Sequence, residues 1–119
     1  MTGKAQDLCE IRTLLRPIFR EARDEDSREN PRSARLPFFH PLELTIGDGR
    51  RQSAFSRDLS ANSIGLLHNF TLPLEEVGIR IATGRGYSVK VRVRILWCRP
   101  CGEGWYVSGG TFASIPSIG

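Results

Sequence analysis

Two periodicities divide the chain. Leu8, Ile11, Leu14, Leu15, Ile18, Phe19 and Ala22 recur at helical spacing, so residues 5–23 are expected to form one amphipathic helix whose apolar stripe must rest on another surface. Pro17 within it predicts a kink or a split. From Leu36 onward the period falls to 2. Leu42, Leu44 and Ile46 alternate, GDG at 47–49 predicts a turn, and QSAFSR returns as a second strand. Ile64 and Leu66 resume the alternation. The clearest hairpin follows, with Val77, Ile79 and Ile81 on one arm and Tyr87, Val89, Val91, Val93, Ile95 and Trp97 on the other, joined by TGRG. A last strand is expected in GWYVSGGTF. The pattern predicts a mainly β fold, a small six-stranded antiparallel β-barrel with an N-terminal α-helix.

Between helix and strands lies REARDEDSRENPRSAR, residues 20–35, in which five arginines balance five acids and the apolar periodicity ends. It reads as a linker. The expected division is therefore residues 1–27 as the helix and the start of the linker, and 28–119 as the barrel with its arginine-bearing lead-in. At 119 residues the chain has room for one modest core.

Seventeen Lys and Arg against 13 Asp and Glu give a formal charge of +4, which suits anionic partners but is weak for a dedicated nucleic-acid binder. Lys90, Arg92 and Arg94 share the outer face of one strand; with no aromatic residues interleaved, a solvated face is favoured over a nucleic-acid surface. No apolar run approaches the roughly 18 residues of a membrane span, and MTGKAQDLCE lacks the apolar stretch of a signal peptide. A cytoplasmic location without membrane insertion is expected. Three cysteines make a disulfide framework unlikely on number alone.

The pentapeptide WCRPC at 97–101 resembles a thioredoxin-type redox motif, but GEGWYVSGG follows where such a motif needs a helix N-terminus to lower the thiol pKa. A structural turn is expected instead. One Cys-x-x-Cys, with Cys9 far off and His40 and His68 unpaired at metal spacing, does not make a zinc site. No nucleophile and base can be assigned by spacing, so the expectation is a protein that is not an enzyme and has no cofactor.

The remaining polar knuckle is RDLSANSIG at 57–65. Asp58-Leu59-Ser60-Ala61-Asn62-Ser63-Ile64-Gly65, on a small barrel with an arginine-bearing lead-in, ILW in a late strand and GGTF in the last, resembles the PilZ domain family over about residues 28–115. That family pairs an Arg-x-x-x-Arg segment with the pattern D/N-x-S-x-x-G and binds the second messenger cyclic di-GMP. The resemblance implies a cyclic di-GMP sensor or adaptor that couples the ligand to a partner or to its own helix. The alternative it leaves open is a degenerate interaction module without the ligand. The implied ligand-binding residues are Arg28, Arg32 and Arg35 on phosphates and guanine, Asp58 and Ser60 on the guanine edge, and Ser63 and Gly65 shaping the loop. Ser63 stands where the family has glycine. Arg28 and Arg32 have the family spacing, whereas the distance to the loop favours Arg35 as the second arginine, with Arg32 one residue late. A protein partner or self-association is expected through the N-terminal helix.

Overall fold

The computed structural model describes residues 15–23, 35–47, 49–82, 84, 86 and 88–113. Seven strands follow one another: β1 (Leu36–Pro37), β2 (Pro41–Ile46), β3 (Arg50–Leu59), β4 (Ser63–His68), β5 (Glu76–Ala82), β6 (Ser88–Gly102) and β7 (Trp105–Phe112). Six of them close a ring in the order β3-β2-β5-β6-β7-β4, every pairing antiparallel and the β3–β4 pairing sealing it. Closure removes the edges that an open sheet would expose. The fold is the expected six-stranded antiparallel barrel with an N-terminal helix.

The interior follows from the period of 2. Leu42, Leu44 and Ile46 of β2, Val77, Ile79 and Ile81 of β5, and Val89, Val91, Val93 and Ile95 of β6 are all buried in one core. β-Branched residues dominate this set and suit a pleated wall. Two irregularities change which side chains reach that core. In β3, Ala54 and Ser56 are buried, then the register shifts between Ser56 and Asp58 and the inward position passes to Leu59. The bulge flips the phase and sends Asp58 to the outer surface. In β6 a second shift falls between Ile95 and Trp97. Trp97, expected to continue the inward row, faces outward instead and is exposed.

β6 also runs further than expected. Cys98, Arg99 and Pro100 pair with Ser108, Val107 and Tyr106 of β7, so the cysteine motif is strand, and the expected turn at CRPCG lies instead at Gly102-Glu103-Gly104. All three of those residues have positive φ. Glycine carries that backbone without a steric cost at two of the three positions.

Residues 15–23 are helical through Pro17, which sits in the first described turn. The rest of the expected 5–23 helix and the linker at 24–34 lie outside the described residues. Leu15, Ile18 and Ala22 are fully buried in the barrel core, Phe19 meets the Phe112 ring edge-on at 6.5 Å, and Glu21 accepts from the Gly84 amide at 3.2 Å. The described helix thus closes the barrel end formed by the start of β2, the β5–β6 turn and the end of β7. Each of its larger buried side chains contributes roughly 1.5–3 kcal/mol by leaving water. Of the apolar stripe, Leu15, Ile18 and Ala22 rest on the protein's own barrel. No helix among the described residues is long and apolar enough to cross a membrane.

Candidate functional site

β1 and β2 are one strand with a gap, both running antiparallel to β3. Leu36 pairs with Leu59 and Pro37 with Asp58; Pro41 resumes opposite Phe55. In the gap between Pro37 and Pro41 the buried Ser56 hydroxyl donates to the Phe38 carbonyl at 2.7 Å and accepts from the His40 amide at 3.0 Å. Phe38 N donates to Arg57 O at 2.9 Å, and the Phe38 and His40 rings stack 4.0 Å apart. These ties fix the lead-in along β3. Arg35, one residue ahead of β1, is thereby delivered to the end of β3 and the β3–β4 turn.

There its guanidinium meets the knuckle. Arg35 Nη2 donates to Asp58 Oδ1 at 2.7 Å and Nη1 donates to Ser63 Oγ at 2.6 Å. Ser63 Oγ in turn lies 2.7 Å from Ser60 Oγ. Ser60 organises the turn itself, accepting from the Ser63 amide at 3.1 Å and the Asn62 amide at 3.3 Å while its own amide donates to the Ser63 carbonyl. Such side-chain to backbone bonds explain the Ser and Asn content of the loop. Among the described residues only Glu103 combines positive φ with a side chain, so Ser63 carries its side chain in the turn without backbone strain. Gly65 leaves the Asp58 carboxylate its place: a Cβ there would press on that side chain, which would have to turn aside.

The Arg35–Asp58 pair sits at one end of an outer-surface groove of about 380 Å³ that crosses β3, β4, β7 and β6. Gly65, Gly109 and Gly110 form its floor, and Leu96 and Trp97 line it further along. Trp97 can lie flat there because Gly109 has no side chain; a Cβ would stand 2.5 Å from the indole Nε1. Arg99 places its guanidinium carbon 5.2 Å from the Trp97 ring centroid, a cation–π contact. The groove therefore offers a planar cation, a carboxylate and hydroxyls at one end and an aromatic face at the other. A guanidinium carries five donors in a rigid fork and can serve an internal carboxylate and an external anion together.

Of the residues implied by the sequence, Arg35, Asp58, Ser60, Ser63 and Gly65 converge. Arg28 and Arg32 lie outside the described residues. Sequence reasoning missed Trp97, because strict alternation buried it; only the register shift in β6 turns it outward. It also missed Gly109, whose close approach to a ring leaves no local signature.

A second polar pair is sealed in the barrel. His68 and Ser108 are both fully buried. His68 Nδ1 donates to the Phe70 carbonyl at 2.6 Å, which leaves Nε2 to accept from the Ser108 hydroxyl. Burial holds the His68 pKa below its ordinary 6.5, opposed by the Phe70 carbonyl bond. The pair resembles a nucleophile and base, yet neither partner has access to a substrate. Among the described residues no three His, Cys, Asp or Glu side chains are grouped as a metal site, and Cys98 and Cys101 are free thiols.

No family model matches this chain, and no curated protein matches it.

Proposed function

We propose that the protein is a non-enzymatic sensor or adaptor domain that binds cyclic di-GMP in the groove between the lead-in and the β3–β4 turn. The observation that carries this reading is the arrival of Arg35 at Asp58 and Ser63, residues from separate parts of the chain joined at 2.7 and 2.6 Å. The resemblance to the PilZ family implies an arginine of the lead-in facing this same turn. In the proposed complex Arg35 forks onto a ligand phosphate or onto guanine O6 and N7, and Asp58 accepts from the guanine N1 and N2 edge. Trp97, over whose ring the Arg99 guanidinium now sits, supplies a face on which a base can stack in place of that cation. Ser60 shapes the turn, and Gly65 keeps the floor low beside Asp58. Ligand contacts along the lead-in give a route to the helix that follows the same barrel end.

One observation favours the alternative, an interaction module that has lost the ligand: Arg35 is already held by Asp58 and Ser63, so a ligand must compete with these bonds. Calorimetric titration with cyclic di-GMP separates the two. Saturable heat together with a rise in melting temperature supports the sensor. No heat and no thermal shift at high micromolar ligand leaves the interaction module.

A further inference from the structure

Diametrically across the ring from the Arg35 groove, the staves β2, β5 and β6 carry a second outer-surface depression of about 340 Å³. Its floor is low at the outward-facing Gly78. Arg51, Arg80, Lys90 and Arg92 line it, against one acid, Glu43. The strand register arranges these charges in rows. Glu43 stands opposite Arg80, and Arg80 opposite Lys90; one row along, Thr45 stands opposite Gly78, and Gly78 opposite Arg92.

Two features separate this patch from an ordinary solvated face. Like charges placed directly opposite on neighbouring strands destabilise a sheet, and Arg80 and Lys90 are such a pair. The next rows show the alternative the fold uses elsewhere, with Glu76 opposite Arg94 and bridging Arg92 at 3.0 Å. Among the described residues, Arg51, Arg80 and Lys90 make no ion pair, although Glu43 lies in the same depression. The concentration of unpaired cations around a glycine floor is thus a cost to the barrel that an external anion would relieve.

We infer that this depression docks an acidic polypeptide segment of a partner protein. The guanidiniums of Arg51 and Arg80 and the Lys90 ammonium, beside the Glu76-bridged Arg92, match carboxylates, Arg forks onto them with two parallel hydrogen bonds, and an extended segment presents alternate side chains at the spacing of the rows. Guanidiniums also bind phosphate, but no nest of backbone amides completes a phosphate site here, because the amides of these central staves are used in the ladders on both sides. Single-stranded nucleic acid would be expected to stack on aromatic side chains, and none lines the depression. This surface is independent of the cyclic di-GMP reading and can fail or stand without it.

The test is fluorescence anisotropy with a labelled hexaglutamate peptide on the full chain, at low salt and at physiological ionic strength. The wild type should bind, and the double charge reversal R80E/K90E should weaken binding by about tenfold or more. The same charge change on the exposed helix positions, R16E/R20E, should leave the affinity within about threefold, since it alters only long-range attraction. Melting curves confirm that both variants fold. Absence of peptide binding at low salt, equal losses in the two variants, or tighter binding of an oligothymidylate of matching charge through Arg80 and Lys90 would each overturn the inference.

Discussion

Arg35 and Asp58 are 23 residues apart in sequence and meet at 2.7 Å across the mouth of the outer groove. Three local causes produce that contact. The β1 pairing sets Pro37 against Asp58, the Ser56 hydroxyl secures the interruption before β2, and the register shift in β3 turns Asp58 outward. Without the shift, the alternation that buries Ala54 and Ser56 would bury Asp58 and expose Leu59.

The pair should matter more for binding than for stability. Its side chains are 41% and 29% exposed, so solvent screens the attraction and Arg35→Ala is expected to cost less than about 1 kcal/mol in urea unfolding. A larger loss would mean that the contact is a structural lock of the barrel rather than a site.

The inward-facing Gly110, opposite Ile64 and Ile95, and the outward-facing Gly78 should differ sharply. At Gly110 an added Cβ would stand 2.6 Å from the Arg94 carbonyl oxygen, and backbone cannot step aside; at Gly78 the nearest atom is Thr45 Cβ at an ordinary 3.5 Å. Gly110→Ala is expected to destabilise by roughly 1–3 kcal/mol, the usual result of overpacking. Gly78→Ala should change unfolding free energy by about 0.5 kcal/mol or less. Denaturant curves of the two variants measured side by side check the contrast.

The sequence shows the barrel because alternation is a local property of each strand, and Val77, Ile79, Ile81, Val89, Val91, Val93 and Ile95 carry it without interruption. The knuckle was legible for a related reason: Ser60 and Asn62 announce a turn by composition. Less was legible wherever the register slipped. Trp97 looked like one more inward residue, and CRPCG looked like a turn because it contains Pro and Gly, whereas Pro100 is accommodated opposite Tyr106 beside a second irregularity of β6. The approach of Asp58 to Gly65 and of Trp97 to Gly109 depends on which strands become neighbours. Spacing along the chain does not encode that.

His68 gives the fold a pH dependence. Its folded pKa is lowered from 6.5, so below that value the unfolded chain takes up a proton that the buried ring refuses. Its contribution is fully present above pH 6.5 and is lost as pH falls toward the lower folded pKa, with a slope of at most about 1.4 kcal/mol per pH unit for one proton. Unfolding free energies at pH 7.5 and 5.5 should therefore fall on acidification in the wild type and fall less in H68F/S108A, which removes the pair together. An equal fall in both would assign the effect to other groups.

Helix docking is expected to be a major source of stability. Ile18 is fully buried against the barrel, and Ile18→Ala should cost about 2–4 kcal/mol through lost transfer energy and the cavity left behind. Arg20→Ala, two residues on and on the exposed side of the helix, should stay within about 0.5 kcal/mol. Equal effects, read from thermal melts, would place the helix off the barrel in solution.

The most direct test of the proposed site is the affinity for cyclic di-GMP of the wild type beside Arg35→Ala, by calorimetry at one salt concentration. Loss of a charge-assisted contact worth about 1.5–3 kcal/mol predicts a weakening of roughly 10- to 150-fold with the fold intact. Undiminished binding by Arg35→Ala, or no binding by the wild type, would contradict the account.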